Sequence, residues 1–222
     1  MSLLFPRINR IRNEELGSIY EFLASKRILC LYGPIVGMAH RSDNFSSAYV
    51  IDALLTLDML NNDPIWLIIN SPGGVVEEGM MLVDTIHLLR SPVYTIGRSV
   101  QSIAATIMAV GAKDHRYLFP HSRTMLHLPS TDRLSGDSSD VAIYAKQLSL
   151  AKDIMIDVLI SSGVTKSRKR ILADIDRDFW MSANEAIEYG LADCIIQPGT
   201  LPYDYPQSLF NTEIMGNPIQ IN

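Results

Sequence analysis

Hydrophobic and polar positions follow two recurring patterns along this chain. Short apolar runs, "ILCLYGPI", "IWLIIN" and "VYTIG", predict strands. The first is typical of a buried strand, and the second is typical of a strand covered on both faces. Longer stretches with apolar residues three or four positions apart, such as "AYVIDALLTLDMLNN" and "GVVEEGMMLVDTIHLLR", predict amphipathic helices. Strands that alternate with helices indicate an α/β fold with right-handed crossovers and an at least partly parallel sheet.

The same alternation continues toward the C-terminus. A helix of small residues is predicted in "SIAATIMAVGA", and short strands are predicted in "YLF" and "TMLHL". Residues 137–161 predict one long helix with apolar side chains on more than one face, which we expect to pack against another subunit. Ser182 is placed to cap the helix "NEAIEYG" in a box with Glu185. The stretch 197–222 contains four prolines and predicts an extended tail.

Composition narrows the class of protein. A chain of 222 residues, 47% hydrophobic and 19% charged, suits one globular domain with a large core. Its net charge of −5 argues against nucleic acid as a partner, and the basic cluster "KSRKR" is interpreted as a solvated helix face. No membrane span or signal-peptide core is expected. We predict that Cys30 and Cys194 are free, buried thiols in a reducing compartment, the cytoplasm or, as the other option, a plastid stroma or similar space.

Three groups of residues could form a hydrolytic site: the serines of "GRSVQSIAAT", the histidine of "TMLHLP" and the acids of "ADIDRDFW". A serine hydroxyl becomes a strong nucleophile only when an oriented base takes its proton. Each group also has a plain structural explanation, because Ser99 and Ser102 could cap a helix and His127 could be a structural histidine. Ser102 is favoured as nucleophile because the next helix begins at Ile103, where unpaired amides and the helix dipole stabilise negative charge.

The motif "INSPGGVVEEG" offers a second set of backbone donors. Gly73 and Gly74 allow the chain to turn sharply and to approach another backbone closely, just before a helix begins. A tight strand-to-helix turn with no further role is the alternative explanation, and the motif alone does not decide between the two.

The stretches "INSPGGVVEEGMMLVDTI", "SIAATIMAVGAKDHRYLFPHSRTMLHLP" and "DRDFWMSANEAIEYGLAD" together resemble the proteolytic subunit of the Clp (caseinolytic) protease family, serine peptidases of the crotonase-like superfamily. The similarity extends from about Leu3 to Ile196. It implies a crotonase-like ββα spiral of the ClpP type, with residues 137–161 as a protruding handle helix and with no cofactor or metal. We accordingly divide the chain into an N-terminal segment (1–27, an axial loop and the first helix), a peptidase domain (28–196) and a tail (197–222).

The resemblance also implies roles for individual residues. With the register fixed by "GAK", the nucleophile falls on Ser102, the base on His127, 25 positions later, and the acid on Asp178. Asp174 and Asp176 are less favoured alternatives for the acid.

Further roles follow from the same resemblance. Backbone amides of Gly74 and Ile103 would form the oxyanion hole, and an apolar pocket that includes Trp66 and Leu88 would dock an AAA+ unfoldase. The implied assembly is a pair of stacked heptameric rings, homomeric or mixed with paralogues, that hydrolyses unfolded polypeptides.

Two alternatives to an active Clp endopeptidase remain open. Val100 and Gln101 replace the small residues that usually precede the nucleophile, and Ala104 replaces a glycine that usually follows it. Loss of that glycine could tilt the neighbouring oxyanion amide, so the chain could be a catalytically weak or inactive paralogue that serves as a structural ring subunit. The second alternative keeps the fold but assigns acyl-CoA chemistry to Glu77 and Glu78 beside "SPGG".

Overall fold

The computed structural model describes residues 19–37, 47–130 and 136–197. The predicted axial loop within residues 1–27 and nearly all of the predicted tail at 197–222 therefore lie outside the described residues. No helix in the described ranges is long and apolar enough to cross a membrane.

Helices and strands alternate along the described chain, as the sequence predicts. They run in the order α1 (Ile19–Ser25), β1 (Ile28–Tyr32), α2 (Ser47–Leu60), β2 (Ile65–Ser71), α3 (Val76–Leu88), β3 (Val93–Gln101), α4 (Ile103–Ala109), β4 (Arg116–Leu126), α5 (Ser138–Ser161), α6 (Arg168–Asp174), β5 (Phe179–Ser182), α7 (Ala183–Tyr189) and β6 (Cys194–Ile195).

The strands form one sheet in the order β1-β2-β3-β4-β5, and β6 pairs with another part of β4. Strands β1 to β4 are parallel, β5 is antiparallel to β4, and β6 is parallel to β4. The prediction of an α/β fold with a partly parallel sheet is confirmed. The parallel connections run through α2, α3 and α4, as βαβ units require.

Helix α4 is the centre of the core. All seven of its residues are buried, which is possible because small side chains such as Ala104 and Ala105 let it lie close to the sheet. Inward-facing residues of β2, including Leu67 and Ile69, are fully buried beneath the helices. Trp66 and Ile68 on the other face of β2 are only partly buried, so the expectation that this strand is covered on both faces is wrong.

Two strands differ from their predicted extent. Strand β3 continues past "VYTIG" to Gln101, so Ser99 lies inside a strand and its hydroxyl accepts a hydrogen bond from the Gln101 side chain. The interpretation of Ser99 as a turn or capping residue is therefore wrong. The predicted strands "YLF" and "TMLHL" are parts of one strand, β4, whose pairing with β3 is interrupted across residues 119–122.

Two further features of the structure, strand β5 and the exposure of one cysteine, differ from what the sequence predicts. Strand β5 was not predicted, because four residues with mixed burial carry no clear period of two. Cys30 is buried in β1 as expected, but Cys194 in the edge strand β6 is exposed. The prediction of a buried Cys194 is therefore wrong, because its pairing with Tyr117 of β4 puts this side chain on a face of the sheet that is partly exposed.

Helix α5 matches its predicted bounds. Asp137 caps it, since the carboxylate accepts hydrogen bonds from the amides of Ser139 and Asp140. Its buried residues, Met155, Ile156 and Leu159, all lie in the second half, so the first half projects beyond the sheet. Large apolar side chains remain exposed along the helix, at Ile143, Tyr144, Leu150, Ile154 and Ile160. The predicted capping box of Ser182 and Glu185 is also present.

A buried ion pair joins the ends of several helices. The Arg116 side chain in β4 is 5% exposed and pairs with the Asp193 carboxylate, which is 14% exposed. The Arg116 guanidinium also donates to the carbonyls of Ala109, Ser162 and Gly190, each at the C-terminal end of a helix. Burial opposes ionisation of Asp193, but hydrogen bonds from Arg116 and its positive charge outweigh burial and lower the pKa of this carboxyl.

We predict that Asp193→Asn lowers the free energy of unfolding at pH 7 by about 3 kcal/mol, because Arg116 then keeps a buried charge without its counter-ion. A lowered folded pKa stabilises the fold above the ordinary aspartate pKa of about 3.9 and loses this effect as pH falls through the folded value. The difference between wild type and variant should therefore shrink below about pH 4. Urea unfolding from neutral to acidic pH, at one protein concentration, measures it.

The matched control is Asp63→Asn, which removes the charge of an exposed aspartate. We expect it to change the free energy of unfolding by less than about 0.5 kcal/mol at every pH. A difference between wild type and Asp193→Asn that stays constant into acid would contradict the assigned role of the ion pair.

Candidate active site

Ser102 occupies the junction between β3 and α4. Its backbone has φ 56° and ψ −131°, a strained conformation that costs a non-glycine residue about 1–3 kcal/mol. Two hydrogen bonds fix it: the Ser102 amide donates to the Met125 carbonyl at 2.8 Å, and the Ser102 carbonyl accepts from the Ala105 amide at 2.9 Å. Ser102 is therefore the N-terminal cap of α4 rather than part of its first turn. Its hydroxyl caps no helix amide, which leaves it available at the surface of the sheet edge.

His127 follows β4 immediately and lies beside Ser102. Gln101 pairs with Met125 across the parallel strands β3 and β4, so the residues that follow them emerge at the same edge of the sheet. There the His127 Nε2 atom is 2.8 Å from the Ser102 Oγ atom, a hydrogen-bond distance.

Asp178 reaches the same edge from the opposite direction. Strand β5 is antiparallel to β4 and pairs Phe179 with Leu126, so the residue before β5 lies opposite the residue after β4. The Asp178 Oδ1 atom is 3.6 Å from the His127 Nδ1 atom, close enough for an ion pair but too long for a hydrogen bond. The Asp178 side chain is 61% exposed and His127 is 28% exposed.

The two neighbouring aspartates have other partners. Asp174 pairs with Arg170 and accepts a hydrogen bond from the Tyr189 hydroxyl. Asp176 pairs with Arg177. Of these three acids, the structure brings only Asp178 to His127. No group of three or more His, Cys, Asp or Glu residues within the described ranges could hold a metal ion.

The turn at Gly73 and Gly74 packs directly against Ser102. A Cβ atom at Gly73 would lie 2.7 Å from the Ser102 Cβ atom, and a Cβ atom at Gly74 would overlap the Ile35 carbonyl oxygen. Both glycines have positive φ, 86° and 152°, so a larger residue at either position would also strain the backbone. Hydrogen bonds from the Ile35 amide to the Gly73 carbonyl and from the Val75 amide to the Ile35 carbonyl hold the turn in place.

The glycine turn and the start of α4 each carry a backbone amide that is open to a further acceptor. The Ile103 amide opens α4 and has no acceptor within the helix. Across the described residues, neither this amide nor the Gly74 amide is paired with an acceptor. Two such donors beside a serine hydroxyl form the arrangement that stabilises an oxyanion.

Gly79 in α3 determines how closely α3 approaches α4. A Cβ atom at Gly79 would overlap the fully buried Ile103 side chain. The position of the Ile103 amide therefore depends on a glycine in the neighbouring helix. The sequence analysis did not single out Gly79, although a glycine inside a predicted helix suggests a packing role.

The unusual residues around Ser102 have defined positions. The Gln101 side chain donates a hydrogen bond to the Ser99 hydroxyl at 3.2 Å and not to Ser102 or His127. Ala104 is fully buried in α4. Glu78 accepts a hydrogen bond from the Ser47 hydroxyl at 2.8 Å, which ties α3 to α2.

A groove of about 520 Å³ extends from the glycine turn to α5. It is mostly apolar and contains one charged side chain among its described lining residues, Glu77. The lining consists of Pro34, Ile35, Val36, Gly74, Val75, Val76, Glu77, Pro129, Ser130, Tyr144, Gln147, Leu148 and Ala151. The contribution of α5 to this groove was not predicted, because it depends on how the helix packs and not on its own sequence.

The two residues expected to dock a partner lie away from this groove. Trp66 contacts the ring of Tyr94 edge-on, with centroids 4.9 Å apart, and the ring of Tyr117 at 5.8 Å. The Tyr94 ring stacks on His115 at 3.9 Å. Leu88 is the last residue of α3 and is 80% exposed.

Comparison with known proteins agrees with this architecture. The sequence model of the Clp protease family matches residues 11–199. The chain is 35% identical over 188 residues to an "ATP-dependent Clp protease proteolytic subunit" of Carsonella ruddii, which covers 84% of this chain and 92% of that protein. It is 36% identical over 193 residues to the protein of the same name from Streptococcus sanguinis, covering 86% of this chain and 94% of that protein.

A further relative is "ATP-dependent Clp protease proteolytic subunit 2" of Pseudomonas aeruginosa, 38% identical over 148 residues, which are 66% of this chain and 73% of that protein. The family model covers most of the chain, including the β3–α4 junction, β4 and β5. This chain belongs to the Clp protease family.

Proposed function

We propose that this chain is the serine endopeptidase subunit of an ATP-dependent Clp protease, which hydrolyses peptide bonds of unfolded polypeptides inside an oligomeric chamber. The 2.8 Å contact between the Ser102 hydroxyl and His127 carries the proposal, because it couples a serine to a base beside two unpaired amides. The names of the relatives support the same activity.

The contacts around Ser102 support the following steps of acyl transfer. His127 Nε2 takes the proton of Ser102 Oγ as that oxygen attacks the scissile carbonyl. The carbonyl oxygen becomes negatively charged, and the Gly74 and Ile103 amides donate hydrogen bonds to it. His127 then gives its proton to the leaving amine, which leaves an acyl-enzyme on Ser102. Water activated by His127 hydrolyses this ester and restores the free serine.

Asp178 assists through His127. Its carboxylate faces Nδ1, which orients the ring with Nε2 toward Ser102 and stabilises the imidazolium that forms during attack. Solvent screening weakens this effect because the Asp178 side chain is 61% exposed. We therefore assign Asp178 a smaller energetic share than His127.

We also propose that the surface around Trp66 and Leu88 contacts an AAA+ unfoldase. Trp66, Tyr94 and Tyr117 form a ring cluster on the partly exposed face of the sheet, and aromatic residues of this kind are enriched at protein interfaces. Leu88 adds an exposed apolar side chain at the end of α3. The name "ATP-dependent" in the relatives is consistent with such a partner.

For assembly, we propose heptameric rings stacked in pairs, either homomeric or mixed with paralogues. The support is the row of exposed apolar side chains on α5, which a single chain leaves in contact with water. We place the complex in the cytoplasm or a similar reducing compartment, in accord with two unpaired cysteines.

Removing the nucleophile tests the mechanism directly. We predict that Ser102→Ala and His127→Ala each lower kcat by about 10⁴ or more, because serine and base act as one unit. The loss of kcat in Asp178→Asn should be at least about tenfold smaller, since this residue acts only through His127. The measurements are short-peptide hydrolysis and labelling by a fluorophosphonate probe. The matched control is Ser99→Ala, which removes the neighbouring hydroxyl. Labelling of Ser102→Ala as strong as that of wild type would refute the assignment.

Gly79 offers a test of the oxyanion donor. Helix propensity alone predicts that Gly79→Ala stabilises α3 by about 1 kcal/mol. We predict instead a fall in kcat of about 10²–10³, because the added methyl displaces Ile103 and with it the backbone amide. Adding Ile103→Ala to Gly79→Ala removes the overlapping atoms and should recover part of kcat. Unchanged kcat in Gly79→Ala would contradict the proposed dependence of the Ile103 amide on the packing at Gly79.

Assembly can be tested on α5. We predict that the wild-type protein sediments well above its 24.8 kDa chain mass at micromolar concentration. Ile154→Glu should shift the distribution toward smaller species, because it places a charge in the exposed apolar row. Glu188→Lys, a charge change on α7 outside this row, serves as control. A wild-type monomer by sedimentation would contradict the proposed assembly.

A further inference from the structure

The groove beside the glycine turn has apolar walls and one carboxylate. Val75 and Val76 form the wall that continues from the Gly74 turn, and Tyr144 and Leu148 of α5 form the opposite wall. Glu77, in the first turn of α3, is the one charged side chain among the described lining residues. A polypeptide that lies in this groove, beside the glycine turn that packs against Ser102, must therefore pass a negative charge between apolar walls.

The fold makes little use of the Glu77 charge. Glu77 is exposed, and it takes part in none of the side-chain hydrogen bonds or ion pairs found among the described residues. Its neighbour Glu78 differs, because the Glu78 carboxylate accepts a hydrogen bond from Ser47 and so connects two helices. The helix dipole favours an acid at the start of α3, but only weakly at an exposed position. The Glu77 carboxylate is therefore open to a group outside the chain.

We propose that Glu77 makes this groove prefer polypeptide segments that carry one Lys or Arg among apolar residues. A Lys or Arg side chain fits both features of the groove: its aliphatic stem packs along apolar walls while its charged head reaches the carboxylate. An acidic residue at the same position would be repelled. The inference rests on the proposed peptidase function and adds a substrate class to it.

The expected preference is modest. Exposed ion pairs change an equilibrium by about 1.5- to 5-fold, and repulsion of an acid has a similar size. Peptides that differ only by Lys or Glu at the recognised position should therefore differ by about 2- to 20-fold in kcat/KM. Since the interaction is between exposed charges, added salt should reduce this ratio.

A set of fluorogenic peptides tests the preference. One apolar parent peptide carries a single Lys, Gln or Glu in turn at each of the positions around its cleavage site. The ratio of kcat/KM for Lys over Glu is measured at about 0.05 M and about 0.5 M salt. We expect the ratio to exceed one at a recognised position and to fall toward one at the higher salt concentration.

Substitutions assign the preference to one side chain. Glu77→Gln should bring the Lys/Glu ratio close to one, and Glu77→Lys should invert it. Glu188→Gln removes an exposed glutamate on α7 that does not line the groove, so it should leave the ratio unchanged. If Glu77 served only the helix dipole, Glu77→Gln would lower thermal stability slightly without changing the ratio, and that result would overturn the proposal.

Binding separates this inference from the proposed function. The same peptides, labelled for fluorescence anisotropy, are titrated against Ser102→Ala protein, which cannot cleave them by the proposed mechanism. Tighter binding of the Lys peptide that disappears in Ser102→Ala combined with Glu77→Gln supports the charge preference even if wild-type hydrolysis fails. Equal binding of the Lys, Gln and Glu peptides overturns the preference, whereas Ser102-dependent hydrolysis would still support the peptidase function.

Discussion

Strand β4 is the constraint on which the site depends, because it pairs with β3 on one side and with β5 on the other. The parallel register with β3 puts Ser102 and His127 at one edge, since each follows the end of its strand. The antiparallel register with β5 brings Asp178 to the same edge from the opposite direction. A shift of one residue in the register with β3 would turn His127 to the other face of the sheet, and a shift in the register with β5 would do the same to Asp178. The ladder hydrogen bonds of β4 thus bring together three residues that are distant in sequence, and their side chains then contact one another.

Close packing of the backbone at two glycines completes the site. Gly73 allows the turn to touch Ser102, and Gly79 allows α3 to approach Ile103. Both contacts determine where backbone amides lie. The position of an amide depends on how closely the backbones pack, so another choice of side chain cannot restore it. Ala104 lies next to the same junction; its methyl is buried in the core, while the proposed oxyanion amide belongs to the preceding residue. A methyl that the core accommodates gives no reason to expect a tilted amide, which favours the active peptidase over the structural ring subunit.

The sequence predicts features that depend on local signals. The bounds of α5 follow from its apolar spacing and Asp137 cap, and the Ser182 box is visible in four residues. Ser102 could be favoured as the nucleophile because the next helix begins directly after it, whereas the roles of His127 and Asp178 were inferred from the family resemblance. Strand β5, the position of Ser99 within β3 and the exposure of Cys194 could not be predicted, because each depends on which strand lies alongside. The position of Glu77 in the groove also could not be predicted from the sequence, since α5 supplies the opposite wall.

Helix α5 links the groove to assembly. Its buried residues lie in the second half, yet Tyr144 and Leu148 of the first half line the groove. The groove wall is therefore formed by the part of the helix with least support from the chain's own core. Exposed apolar residues such as Ile143 and Ile154 lie along the same segment and the next turns. A subunit that covers them would stiffen the groove wall at the same time, because a helix segment moves as one body. In the proposed complex, assembly and substrate binding would depend on the same helix, α5, whose 24 residues run without a proline or glycine to interrupt them.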